Sequence, residues 1–157
     1  MSTTTQQRSE QVDVRGPRFV AWVTTAVLIA TLLVSAFSAT AAAVVVGLQA
    51  VVFAIGAAQG PRRHPYGRVF AAVVAPRLSP VTEREPVSPL KFAQLVGFVF
   101  AVIGTAGFAA GVPLLGVIAT AFALFAAFLN AAFGICLGCQ IYPVVQPLVA
   151  RLRRTRS

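Results

Sequence analysis

Apolar residues run almost unbroken through four stretches of the chain, at about residues 19–38, 41–58, 92–110 and 113–139. Each is close to or above the roughly 20 residues that a helix rising about 1.5 Å per residue needs to cross a hydrocarbon core of about 30 Å. None shows the strict apolar/polar alternation of a half-buried strand. The pattern predicts an all-α polytopic membrane protein, its four transmembrane helices arranged as two hairpins. The first run is too long for a cleaved signal core and is expected to be retained. Gln49 is the one strongly polar side chain of the second run and is expected to bond between helices, with a ligand-binding role as the weaker reading.

Between the hairpins, residues 59–91 hold six prolines, five arginines, a lysine, two glutamates and the single histidine, His64. This segment is expected to be a structured loop. Residues 66–75 could form a short helix with Val69, Phe70, Val73 and Val74 on one stripe, either lying among lipid headgroups or tucked into the bundle. His64, beside Pro65, reads first as a solvated loop residue and only weakly as a binding residue. Glu83 and Glu85 flank Arg84 and read as a solvated patch. Asp13 and Arg15 are expected to fix the chain's entry into the membrane. Residues 1–11 carry Ser, Thr and Gln with too little apolar surface to offset ordering entropy, and are expected to be disordered. The four-helix domain spans 12–143, and 144–157 form a basic tail.

Composition agrees with this reading. In 157 residues, 57% are hydrophobic and 11% charged, with a mean hydropathy of +0.81, too apolar for a water-soluble domain. The net charge of +9 does not indicate nucleic acid, because the basic residues fall in three clusters separated by apolar runs. All thirteen Lys and Arg residues lie before the first hairpin, between the hairpins or after the second, and none lies in either hairpin turn. The positive-inside rule then predicts a multi-pass cell-membrane protein with both termini and the central loop cytoplasmic.

Reactive chemistry is concentrated in one place. Cys136 and Cys139 are the only cysteines, and if the fourth helix continues through them, both sulfurs share a face. Cys136 follows Pro113 by 23 residues, about 35 Å of helix at 1.5 Å per residue, which sets the pair at the cytoplasmic interface. At the C-terminal end of that helix the macrodipole would oppose a thiolate. Asn130, Gly134, Gly138 and Tyr142 surround the pair as supporting residues. The leading reading is a thiol–disulfide or sulfur-relay component that exchanges with a cytosolic partner or a membrane quinone. The alternatives are a small transporter or channel for a sulfur compound or anion, with Gln49 and Asn130 along its path, or a scaffold in which the cysteines only pack. A metal is not expected, since His64 and two cysteines leave zinc short of ligands unless a homo-oligomer completes the set. No cofactor motif, catalytic triad or phosphate-cradling loop is visible.

The segments 12–19 (Val-Asp-Val-Arg-Gly-Pro-Arg-Phe), 64–66 (His-Pro-Tyr), 76–78 (Pro-Arg-Leu), 91–94 (Lys-Phe-Ala-Gln) and 130–139 (Asn-Ala-Ala-Phe-Gly-Ile-Cys-Leu-Gly-Cys) occur in one order. Together they resemble the bacterial membrane family called domain of unknown function 4395, over about residues 12–143. The resemblance implies a membrane-embedded helical domain and no established activity. It also suggests a thioredoxin-like or sulfurtransferase protein as partner.

Overall fold

The computed structural model describes residues 10–156. Its elements are β1 (Gln11–Asp13), α1 (Arg15–Ser35), α2 (Ala39–Gln59), α3 (Pro65–Val69), β2 (Arg84–Pro86), α4 (Val87–Ala109), α5 (Pro113–Phe133) and α6 (Leu137–Arg154). The all-α class holds, with one small two-stranded exception: β1 pairs antiparallel with β2, Gln11 opposite Pro86 and Asp13 opposite Arg84. That ribbon revises the expectation of disorder through residue 11, the rest of which lies outside the described residues. Backbone bonds from Val14 N to the Glu83 carbonyl and from Val87 N to the Glu10 carbonyl extend it at both ends.

Four helices, α1, α2, α4 and α5, are long and apolar enough to cross a membrane, and they fit a multi-pass membrane protein. Two begin four or five residues before their apolar runs. Pro17 and Pro89 fall in the first turns of α1 and α4, where the missing N–H breaks no helical bond, so proline opens these helices. Ser38 caps α2 by accepting from Ala41 N at 3.1 Å. Gly111 takes φ +78° in the turn before α5, and Pro113 supplies that helix's first residue.

The four helices close a ring in which α2 packs along α4, α4 on α5, α5 on α1 and α1 on α2. Leu28, Val46, Phe53, Ala101 and Phe108 fill its centre. Small residues permit the closest approaches. A Cβ on Gly107 would come within 2.5 Å of Gly116 N, and one on Gly116 within 2.6 Å of the Phe108 ring. Large side chains such as Leu33, Phe37, Leu48 and Leu114 remain on the outside, an arrangement suited to lipid as solvent and costly in water.

The middle of the link between hairpins, residues 65–77, is helical. After α3 the chain makes a wide π turn at Phe70–Val74 and a 3₁₀ turn at Ala75–Arg77. The expected stripe divides: Phe70 is buried beside Gly16 and the Phe19 ring, 5.7 Å between centroids, while Val69 and Val73 stay half exposed. Asp13 accepts from the Arg15 guanidinium at 2.8–3.1 Å, and Arg15 also donates to the Ser79 carbonyl at 3.0 Å. The Arg15 bond holds the Asp13 carboxyl below the usual carboxylate range.

The largest departure from expectation concerns the fourth crossing. It does not run to residue 139; α5 ends at Phe133, and Gly134 turns the chain at φ +69°. The residues from 144 onward are also not a separate tail but the continuation of α6, which carries Pro143 and Pro147 internally and ends among Arg151, Arg153 and Arg154.

Candidate functional site

Gly134 creates the local geometry of the cysteines. Its left-handed conformation lets Gly134 N donate to the Asn130 carbonyl at 3.1 Å and Ile135 N to the Leu129 carbonyl at 3.2 Å, closing α5 with a glycine cap. Two residues later the chain starts again, with Cys136 as the N-cap of α6. Cys136 Sγ accepts from Cys139 N at 3.2 Å, and the two cysteines are joined by a disulfide with Cα atoms 5.2 Å apart. The expectation that the pair lies at a helix C-terminal end is therefore corrected. It lies at an N-terminus, where unpaired N–H groups and the macrodipole stabilise negative charge on sulfur.

Two contacts hold this helix start against α4. A Cβ on Gly138 would fall 2.6 Å from Ala93 Cα, so the two backbones meet directly. One turn on, the Tyr142 ring lies 5.8 Å from that of Phe92. From α1, Arg18 Nη2 donates to the Ala131 carbonyl at 3.4 Å. The disulfide thus sits at the end of the bundle where α1 and α4 begin.

Beneath it is a cavity of about 360 Å³ between α1, α4 and α5. Phe53, Phe100, Phe122 and several alanines make its walls mainly apolar, and Thr24, Gln94, Asn130 and Cys136 supply its polar atoms. Cys139 does not line it. Of the residues predicted from sequence, the cavity brings together Cys136, Gly138 and Asn130. Gly134 shapes the turn without lining the cavity, and Tyr142 faces a shallower depression with Lys91 and Phe92.

His64 and Gln49 belong to a second polar cluster. His64 is not solvated: it is 1% exposed, as is Gln49. His64 Nδ1 accepts from Tyr66 N at 3.2 Å, which leaves Nε2 carrying the proton it donates to Gln94 Oε1, also at 3.2 Å. Tyr66 Oη donates to Gln49 Oε1 at 2.8 Å. Gly56 makes room, because a Cβ there would lie 2.6 Å from the imidazole and 2.9 Å from Gln94 Oε1. Burial pushes the His64 pKa down to about 4, against a smaller opposing effect of Gln94, so the ring is neutral; burial also raises the Tyr66 hydroxyl. Glu85, read as solvated, is half buried in β2, and burial raises its carboxyl pKa.

Sequence reasoning passed over Gln94, Thr24 and Tyr66. Gln94 joins the two clusters, holding His64 with its Oε1 while lining the cavity. A signal for it existed: beside Gln49 and Asn130, it is a strongly polar side chain inside an apolar run, where such groups carry a cost that needs a reason. Among the described residues, no three His, Cys, Asp or Glu side chains gather as a metal site.

Neither a curated protein nor a solved structure matches the chain. The family model for Domain of unknown function (DUF4395) does match, over residues 12–147, from the β1 strand through the cavity and the cysteine pair into α6, and the chain belongs to that family.

Proposed function

We propose that this is a multi-pass membrane protein in which Cys136 and Cys139 carry out thiol–disulfide exchange with a dithiol protein at the cytoplasmic face. The observation that carries the reading is the pair's position at the start of α6, with Cys136 Sγ accepting from Cys139 N. A helix N-terminus stabilises negative charge on a departing sulfur, which makes Cys136 the better leaving group. A partner thiolate attacks Cys139 Sγ, the S–S bond breaks, and Cys136 departs as a thiolate. The partner's second thiolate then attacks its own sulfur in the mixed disulfide, which leaves the partner oxidised and Cys139 reduced. A thioredoxin-like protein has the required dithiol. The charge pattern supports the cytoplasmic assignment, since all thirteen basic residues avoid the two hairpin turns.

The test is mass spectrometry of the purified protein after graded reduction and alkylation, repeated on Cys136→Ser and Cys139→Ser. Reduction by a thioredoxin-class dithiol should add two alkyl groups to the folded wild type. Cys139→Ser should leave a Cys136 thiol that alkylates faster at pH 7 than Cys139 does in the reciprocal variant. A pair that stays closed to dithiols in the folded protein, or two equally slow thiols, would reduce the cysteines to packing residues.

A further inference from the structure

The cavity below the disulfide has the features of a ligand site that the exchange reaction does not use. At about 360 Å³ it falls in the range of small-molecule pockets, with apolar walls and a few convergent polar groups. Phe122 and Phe125 line it and are also 59% and 58% exposed on the outer surface of an apolar helix, which gives the cavity a lipid-facing rim.

Thr24 is the decisive residue. It is 2% exposed, lines the cavity, and its hydroxyl has no hydrogen-bond partner. Three threonines in these helices bond back to the carbonyl four residues earlier: Thr25 to Ala21, Thr31 to Val27 and Thr105 to Ala101, at 2.7–2.9 Å. Thr24 has no such bond, which leaves a buried donor available to an acceptor in the cavity. Among the described residues Gln49 Nε2 and Thr120 Oγ1 are also unpartnered, but neither residue lines this cavity.

Asn130 supplies a second polar group at a different depth. The Trp22–Phe128 ring contact and the Arg18–Ala131 bond set α1 antiparallel to α5 with Asn130 level with about Phe19 or Val20. Thr24 is then four to five residues deeper, roughly 7 Å at 1.5 Å per residue. That separation suits a flat ring with a carbonyl oxygen at each end, one accepting from Thr24 and the other from the Asn130 amide.

The geometry points to a lipid-soluble para-quinone as the occupant, accepting the electron pair from the reduced cysteines. This rests on the thiol–disulfide reading above and names its second substrate. Cys136 lines the cavity and Cys139 does not, so the sulfurs divide the work. After partner exchange, the Cys136 thiolate adds to a ring carbon. Cys139 thiolate then attacks Cys136 Sγ, the C–S bond breaks with its electron pair passing to the ring, and the disulfide re-forms. Two protons, matching the two released by the partner dithiol, complete the quinol. The partner loses two electrons and the quinone gains two.

The experiment uses the full chain in lipid nanodiscs, reduced, desalted and mixed anaerobically with a short-tailed benzoquinone, with quinol absorbance and free thiols followed together. One quinol per disulfide re-formed is expected. Thr24→Val should raise the quinone concentration needed for half-maximal rate at least tenfold, and Thr24→Ser, which restores the hydroxyl, should return it to within about threefold of wild type. Wild type that is readily reduced by dithiol but yields no quinol would overturn the quinone assignment while leaving thiol exchange intact, as would occupation by a lipid acyl chain. A pair that dithiols cannot reduce would instead remove the exchange reading on which the assignment rests. Equal quinone dependence in wild type and a folded Thr24→Val would refute the site geometry.

Discussion

His64 shows how a single side chain can reverse its sequence-level reading. Next to proline in an arginine-rich segment it reads as solvated, yet Gly56, Gln94 and Tyr66 enclose it and its pKa falls to about 4. Because the folded value lies below the ordinary 6.5, the unfolded chain binds the proton more readily between those limits. The stability held at neutral pH therefore drains away as pH falls from about 6.5 to about 4, by up to about 3 kcal/mol at 1.36 kcal/mol per pKa unit. Glu85 has the opposite sign, since its raised pKa favours the folded state on acidification. Comparing wild type with His64→Gln isolates the histidine. Melting temperatures in detergent should drop more steeply for wild type than for the variant between pH 7 and pH 4.5; parallel slopes would contradict a buried neutral ring. Nothing in the sequence could have shown this burial, because it depends on a glycine eight residues away and a glutamine thirty residues away meeting at one point. The cysteine pair, by contrast, was legible as a close pair from its spacing alone, and the disulfide joins it.

At the scale of elements, the apolar runs revealed four helices because length and hydropathy are properties of the local sequence. The break between α5 and α6 was less visible. Ile135, Cys136 and Leu137 continue the apolar run, and only Gly134, in a left-handed conformation closed to most side chains at a cost of about 1 kcal/mol or more, stops the helix. The consequence for chemistry is large, since the cysteines move from a helix end that disfavours a thiolate to one that favours it. The β1–β2 ribbon was hidden for another reason: three-residue strands give no periodic signal, and their pairing spans the whole first hairpin. Docking of α6 depends on Gly138 meeting the Ala93 backbone, which cannot rotate aside as a side chain would. Gly138→Val should therefore lower stability by about 1–3 kcal/mol, the usual cost of overpacking. Alkylation of the reduced cysteines should become faster as the helix start lifts from α4. An unchanged melting temperature together with an unchanged alkylation rate would show that this contact does not hold α6 in place.

For the whole molecule, the arrangement of charge and the arrangement of helices support each other. The ribbon of β1 with β2, the α3 turn packed on α1, the His64 cluster and the start of α6 all gather at one end of the bundle. The basic residues described in α1 and the 62–91 segment belong to that same end, and α6 leads from it to Arg151, Arg153 and Arg154, while the turns at 36–38 and 110–112 carry no charge. An end built of folded polar structure opposite an end of bare turns gives the bundle one elaborated face, and the positive-inside rule predicts that this face is the cytoplasmic one. Orientation is testable with single cysteines introduced on a Cys136→Ser, Cys139→Ser background. Thr40→Cys, exposed in the first turn of α2, should react with a membrane-impermeant maleimide added to intact cells. Ser79→Cys, in the segment between hairpins, should react only after the membrane is opened. Labelling of Ser79→Cys in intact cells, with Thr40→Cys protected, would invert the topology and place the disulfide on the side where oxidising conditions keep cysteines paired, making thiol exchange with a cytosolic partner untenable.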